Sequence, residues 1–387
     1  HRVLERCDAL VQFDRARDAW QLRQGPFAEH EFPALPASDW TLLVQDVDKW
    51  DVDVAALLAH FAFLPRWRID DVMVSFAAPG GSVGAHVDQY DVFLLQGSGR
   101  RRWQIDSRPD PDLRFRDDVE LKLLRHFAPN HDWVLEAGDM LYLPPGVPHH
   151  GVAEDACLTF SIGMRAPSQA EMLEDFAAFV AERLPESSRF RDPDLQPPRH
   201  PGEIDDAALQ RVAAAMPWLG MRERAASGTA TASGKSRSAP VSVVNAAEDF
   251  DPEPAGGVDG FARGVDSSLL RTWFGRFITR YRSAGEIVAP PRVPSLSVLD
   301  ARLLAGASLI RHPFVRCAFS RDARSARLFV DGEDYACDPG LARRLCGEAA
   351  LDAQDWSGMD ASARALVHTL CRRGAWVLRP APRRRPR

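Results

Sequence analysis

Pro79-Gly80-Gly81-Ser82-Val83-Gly84-Ala85-His86-Val87-Asp88 is the stretch whose reading decides the fold. A glycine-rich turn opens into a strand, and residues two apart on a strand share a face. His86 and Asp88 therefore point together into a barrel while Val87 packs outside. Farther along, Pro144-Pro145-Gly146-Val147-Pro148-His149 brings a second imidazole to the start of another strand. Two imidazoles and one carboxylate form the three-ligand face that holds Fe(II) and leaves coordination positions open. An open metal face is built to react, not to brace a fold. A bare His-x-Asp is common, and its weight here comes from Gly80-Gly81 before it, the strand after it and the distant histidine. His150 competes with His149 for the third position. Strand neighbours face opposite ways, and Pro-Gly-Val-Pro is expected to deliver His149 facing inward.

Outward from that cluster, Gly97-Ser98-Gly99 reads as a hairpin turn leading into Arg100-Arg101-Arg102-Trp103. An iron oxygenase of this kind needs electrons to reduce O2, and 2-oxoglutarate supplies them by chelating the metal through its keto-acid end. Its far carboxylate needs a fixed cation, and a guanidinium is the bidentate, always-charged choice. Alternation puts Arg101 on the face of Trp103, the residue that belongs in the core, so Arg101 is the inward arginine. Ser75, on the preceding strand, is placed to hydrogen-bond the same carboxylate. Gln89, Tyr90 and Asp91 follow the ligands directly and are expected to shape the mouth of the site as substrate-binding residues. His60, His126, His131 and His312 have no such context and read as structural or surface residues.

The chain has 387 residues, enough for two or three domains, and its 45% hydrophobic content suits real cores. No run of eighteen apolar residues exists, which excludes a transmembrane helix. The start, His1-Arg2-Val3-Leu4, lacks a Met and an apolar signal region, so a cytoplasmic protein is expected, beginning inside a longer chain. Six scattered cysteines without a CxxC spacing read as reduced thiols. With 54 acidic against 48 basic residues, direct nucleic-acid binding is not expected, and a basic protein substrate suits the balance better.

Residues 1–167 read as mostly β, a jelly-roll barrel of the cupin kind, with one helical pattern at Leu42–Leu58 around Trp50. Ser168 and Glu171 make a capping box that starts a helix striped by Met172, Phe176, Phe179 and Val180, and a second helix is expected near 204–219. Two such helices within 168–222 cannot bury their own apolar faces and need a partner surface. Residues 223–258 read as a flexible linker that turns acidic at Glu248-Asp249-Phe250-Asp251-Pro252-Glu253. Residues 259–380 interleave helices with a small sheet in the manner of a winged helix, and 381–387 form a basic tail. The fold class is thus multidomain α+β.

Three longer stretches, Trp67 to Phe93, Gln96 to Trp103 and Gly138 to His149, together resemble the bacterial JmjC-domain ribosomal oxygenases. The resemblance runs over 40–166 and is closed by Arg165-Ala166-Pro167. It continues more weakly through the helical region and Trp273-Phe274-Gly275-Arg276-Phe277-Ile278. It implies a JmjC double-stranded β-helix, a central helical dimerisation region giving a homodimer, and a C-terminal winged helix. It also implies that His86, Asp88 and His149 are iron ligands and that Arg101 anchors the cosubstrate. The implied reaction is 3-hydroxylation of an arginine in the sixteenth protein of the large ribosomal subunit. Two departures are an N-terminal segment missing before His1 and a longer linker near 225–247. The rival readings are a ribosomal histidine hydroxylase, a lysine demethylase, and a non-catalytic metal-binding cupin carrying a nucleic-acid-binding winged helix.

Overall fold

The computed structural model describes residues 7–193, 195, 206–215, 243–244, 267–280, 287–321 and 325–381. The chain divides into two compact units, one of His1–Pro167 with Ser238–Arg387 and the other of Ser168–Arg237. The first unit holds ten strands before residue 167: β1 (Cys7–Asp14), β2 (Ala19–Gln24), β3 (Trp40–Val44), β4 (Ile69–Ala77), β5 (Val92–Ser98), β6 (Arg101–Ile105), β7 (His131–Leu135), β8 (Met140–Leu143), β9 (His149–Ala153) and β10 (Cys157–Met164). One sheet runs β8-β5-β10-β4-β3-β1-β2, with the two-residue strand β11 (Val243–Val244) beside β8; the other runs β7-β6-β9. Every described pairing is antiparallel, and the core between the two sheets is Val92, Leu94, Trp103, Ile105, Leu135, Leu141 and Leu143. This is the double-sheeted cupin barrel expected from the sequence.

The helix expected over Leu42–Leu58 is a correction. Trp40–Val44 is instead β3, paired between β1 and β4, and only Val52–Leu57 is α-helical (α1). Leu42 and Val44 are buried by sheet pairing, which overrides a weak 3.6-residue period. Asp46, at φ 55°, breaks the chain direction, and Asp51 then caps α1 by accepting from the N–H groups of Asp53 and Val54.

The C-terminal part of this unit contains α4 (Ser267–Thr279), α5 (Leu296–Leu304), α6 (Pro339–Gly347), α7 (Ala353–Ser357) and α8 (Ala361–Arg372), counting α2 and α3 given below. Two three-stranded sheets accompany them. The first is β12 (Ser308–Arg311) between β16 (Ala350–Leu351) and β17 (Trp376–Arg379). The second is β14 (Ala326–Val330) between β13 (Cys317–Arg321) and β15 (Glu333–Cys337). Leu299, Leu303, Leu309, Leu328, Trp356 and Trp376 are almost fully buried in one apolar core. Each such side chain contributes about 1.5–3 kcal/mol on leaving water.

In the second unit, α2 (Gln169–Ala181) starts at the expected capping box. Ser168 Oγ accepts from Glu171 N at 3.1 Å, and Glu171 Oε2 accepts from Ser168 N at 2.6 Å. Within the expected second stretch, α3 covers Asp206–Ala215. The linker of 223–258 apart from 243–244, its acidic run and the tail beyond 381 lie outside the described residues.

Candidate metal and keto-acid site

His86 lies in the loop between β4 and β5, yet it is held as firmly as a strand residue. Its N–H and C=O exchange 3.0 Å hydrogen bonds with His149, forming an isolated antiparallel bridge to the start of β9. Gly84, at φ +82°, makes the preceding turn, a conformation glycine adopts without steric cost. The Asp88 carbonyl accepts from Gly146 N at 2.8 Å, which ties the ligand loop to the proline-rich turn before His149.

These constraints converge on one point. Asp88 Oδ2 stands 4.0 Å from His86 Nε2 and 3.7 Å from His149 Nε2, and three donor atoms of these residues lie within 4.8 Å of one another. The Nδ1 atoms of His86 and His149 are 2.9 Å from the carbonyls of Gly84 and Val147. A carbonyl only accepts, so each Nδ1 carries the proton and each Nε2 presents a lone pair to a metal. His149 is 2% exposed, and burial, followed by the neighbouring His86, holds it well below the ordinary histidine range, so it stays neutral. Burial raises the Asp88 carboxyl, opposed by His86 and by a hydrogen bond from Tyr90. A bound cation would offset that desolvation and keep the carboxylate ionised. The donor set therefore fits Fe(II), with three protein ligands and open positions.

The second half of the site is Arg101, only 3% exposed. Its Nη1 donates to Ser75 Oγ at 3.2 Å and to Thr159 Oγ1 at 3.4 Å, and Nη2 donates to Gly151 O at 3.4 Å. Its Nε has no partner, and no carboxylate pairs with it among the described residues. Burial pulls its pKa down, and its guanidinium lies 5.1 Å from the Trp103 ring. Burying a cation without a counter-charge costs on the order of several kcal/mol, so the pocket favours an anion that supplies one. The far carboxylate of 2-oxoglutarate would supply that counter-charge. Gly151 makes the space: a Cβ there would meet Trp103 at 2.7 Å and Arg101 Nε at 2.8 Å. The flanking arginines point outward as alternation requires, Arg100 to Asp155 at 3.0 Å and Arg102 to Glu154 at 2.6 Å.

A cavity of about 170 Å³ joins the two halves, and Ser75, His86, Asp88, Tyr90, Arg101 and His149 all line it. The other residues singled out in the sequence lie elsewhere. Gln89 is exposed and outside the lining. Asp91 binds Arg68 at 3.1 Å and accepts from Tyr142 Oη at 2.7 Å, also outside the cavity. His150 faces away from the ligands, edge-on to Phe127, and burial lowers it to about 4. Sequence reasoning missed Thr159, Ser161, Asp71 and Met73, all of which line the cavity. The alternation of Thr159 and Ser161 with Leu158, Phe160 and Ile162 was a usable signal for the first two.

A barrel of this topology with this donor set defines a cupin oxygenase of the JmjC class, and the JmjC domain family matches residues 56–172. A ROXA-like winged helix family matches residues 263–377. The chain is 32% identical over 370 residues to ribosomal protein uL16 3-hydroxylase of Escherichia coli K12, covering 92% of this chain and 83% of that protein. It is 39% identical over 170 residues to a probable ribosomal oxygenase of Haemophilus influenzae, covering 44% of this chain and 42% of that one. The solved structure of YcfD, a ribosomal oxygenase from Escherichia coli in complex with cobalt and 2-oxoglutarate, is similar at a TM-score of 0.69 and 29% identity, over 97% of this chain and 88% of that chain. The chain belongs to the JmjC ribosomal oxygenases. That membership decides against a non-catalytic cupin.

Proposed function

We propose that this protein is an Fe(II)- and 2-oxoglutarate-dependent hydroxylase acting on C3 of an arginine side chain in the large-subunit ribosomal protein uL16. The observation that carries the reading is the meeting, in one cavity, of His86, Asp88 and His149 with the buried cation of Arg101, which no carboxylate among the described residues pairs. The Escherichia coli relative named for uL16 3-hydroxylation supplies the target.

When bound, the ferrous ion and keto acid supply the redox chemistry: 2-oxoglutarate and O2 give succinate and CO2, and one oxygen atom enters the substrate C–H bond. The chain supplies placement. His86, Asp88 and His149 hold the metal, and Arg101 with Ser75 and Thr159 fixes the far carboxylate. Val92, Leu94 and Trp103 form a wall that keeps water from the keto acid. Asp71 and Tyr90 line the same cavity, and the Tyr90 phenol is pushed upward by burial and by the carboxylates of Asp88 and Asp71. An acidic, aromatic wall suits a guanidinium better than a neutral imidazole, which favours arginine over histidine as the target.

We assign the barrel to 1–167, the helical region to 168–222, the linker to 223–258, the winged helix to 259–380 and the tail to 381–387. The helical region is proposed to form a homodimer. It exposes Leu173, Leu209 and Val212, apolar side chains that a second copy would cover. A cytoplasmic location follows from a ribosomal substrate, and no helix among the described residues is long and apolar enough to cross a membrane.

The test is incubation of the full chain with Fe(II), 2-oxoglutarate, O2 and an arginine-bearing uL16 peptide, read by tandem mass spectrometry. One oxygen gained on the arginine, matched by succinate, is expected. Oxygen found on a histidine peptide instead, or formaldehyde released from a methylated lysine, overturns the reading.

A further inference from the structure

The wall opposite Arg101 contains an irregularity. Asp70 and Asp71 are consecutive on β4, and strand neighbours ordinarily face opposite sides, yet both line the active-site cavity. The register explains it. Gly163 pairs with Asp71 while Met164 pairs with Ile69, so Asp70 is the extra residue of a β-bulge. Asp71 stays in phase with Met73 and Ser75 on the cavity face, and the bulge, a device that re-aims side chains beside active sites, brings Asp70 to the same wall.

The bulge is gripped from the winged-helix part of the chain. Arg316 immediately precedes β13; its neighbour Val315 is buried in the winged-helix core, and its own carbonyl accepts from Asp331 N at 3.2 Å. Its Nη2 donates to Asp70 Oδ1 and to the Asp70 carbonyl at 3.3 Å. The pair is largely buried, with the arginine side chain 11% exposed and the aspartate 22%. From the barrel side, Lys49 Nζ donates to the same carbonyl at 3.2 Å, and Asp71 Oδ2 accepts from Asp46 N at 2.9 Å. The two parts of the chain are joined again nearby. Arg165 donates to the carbonyls of Phe277, Ile278 and Arg280 at the end of α4, and Trp67 meets Phe274 edge-on at 5.5 Å.

We propose that Arg316 is a positioning residue for the cationic substrate side chain. By holding Asp70 through its carboxylate and its carbonyl, it fixes the bulge next to Asp71, which faces the cavity in phase with Met73 and Ser75, so the winged helix helps set substrate affinity without touching the substrate. Arg316 also balances the charge of Asp70, and Asp71 adds a carboxylate to the cavity wall that an incoming guanidinium meets. The inference rests on the arginine-hydroxylase reading and deepens it.

The experiment compares peptide and cosubstrate KM values in the full chain with Fe(II). Arg316→Ala is expected to raise the KM for the arginine peptide about tenfold, the range of a lost charge-assisted hydrogen bond, while the KM for 2-oxoglutarate moves less than about twofold. Arg316→Lys keeps the charge on a shorter side chain with a differently shaped head and is expected to recover part of the loss. Asp70→Asn, which keeps the bulge carbonyl in place, should raise peptide KM by a smaller factor and reads the same contact should Arg316→Ala fail to fold. A wild-type chain inert toward the peptide would refute the arginine-hydroxylase reading itself. An active wild type whose peptide KM is unchanged in Arg316→Ala and Asp70→Asn, or whose peptide and 2-oxoglutarate KM values rise together, overturns the positioning role.

Discussion

The barrel and the winged helix each enclose a cavity, and the smaller one carries the chemistry. The barrel cavity is about 170 Å³, and its walls hold three convergent metal-donor atoms and an arginine that no described carboxylate pairs. The winged-helix cavity is about 610 Å³ and is lined mainly by apolar groups such as Leu299, Leu309, Trp376 and Leu378, with Arg292 and Arg302. Among the described residues, no second group of metal donors converges there or elsewhere. Their interiors differ in the same sense. The barrel buries Ser75, Arg101, His149, Thr159 and Ser161, whereas the winged-helix core is built from leucines and tryptophans. One interior gives up stability to pre-place polar groups and the other supplies it, a division expected wherever function violates packing rules.

That contrast can be broken by substitution on either side. The largest effect is expected from His149→Ala, which removes a ligand from the three-donor face and should abolish peptide-coupled succinate release; measurable turnover would mean the metal is held elsewhere. Next, Arg101→Ala should raise the KM for 2-oxoglutarate by about a hundredfold, the worth of a lost bidentate ion pair in a dry site, measured by succinate assay across keto-acid concentrations. Thr159→Val should raise the same KM about fivefold, through one lost hydrogen bond to Arg101. Leu309→Ala should leave that KM unchanged while lowering unfolding free energy by about 2–5 kcal/mol in urea titration, because it only opens a hole in the winged-helix core. Arg101→Met sharpens the comparison furthest. It should weaken keto-acid binding about as Arg101→Ala does yet raise the melting temperature of the keto-acid-free protein, since it removes a buried cation that no carboxylate among the described residues pairs.

The parts of the site legible in the sequence were the His-x-Asp motif with its distant histidine and the residues governed by a strand's two-residue period. The strand expected at His86 and Asp88 is a loop, and those two converge through the bridge to His149 and the Gly146–Asp88 hydrogen bond, whereas Arg101 with Trp103 is an i, i+2 pair on β6 whose shared face follows from alternation alone. His149 against His150 was decided by the same rule. Thr159 was hidden because its role depends on pairing: it sits across from Ser75 on one side and Gln96 on the other, a register that only the sheet order reveals. Asp70 was hidden by the bulge, which suspends alternation there, whereas Asp71 shares the face of Met73 and Ser75 and lay within reach of the two-residue period. Gln89 and Asp91 drew notice by adjacency to Asp88. A turn carries one outward, and Arg68 and Tyr142 hold the other. The helical period over Leu42–Leu58 failed because a central strand there is satisfied by two neighbours, a tertiary fact absent from local pattern.

The most direct test is a crystal structure of the full chain grown without oxygen with Mn(II), a redox-quiet substitute for Fe(II), and 2-oxoglutarate. The account predicts one metal ion bonded to His86 Nε2, an Asp88 carboxylate oxygen and His149 Nε2, chelated by the keto-acid end, with the far carboxylate on the Arg101 guanidinium. A metal bound without His149, or a far carboxylate lying away from Arg101, would contradict it.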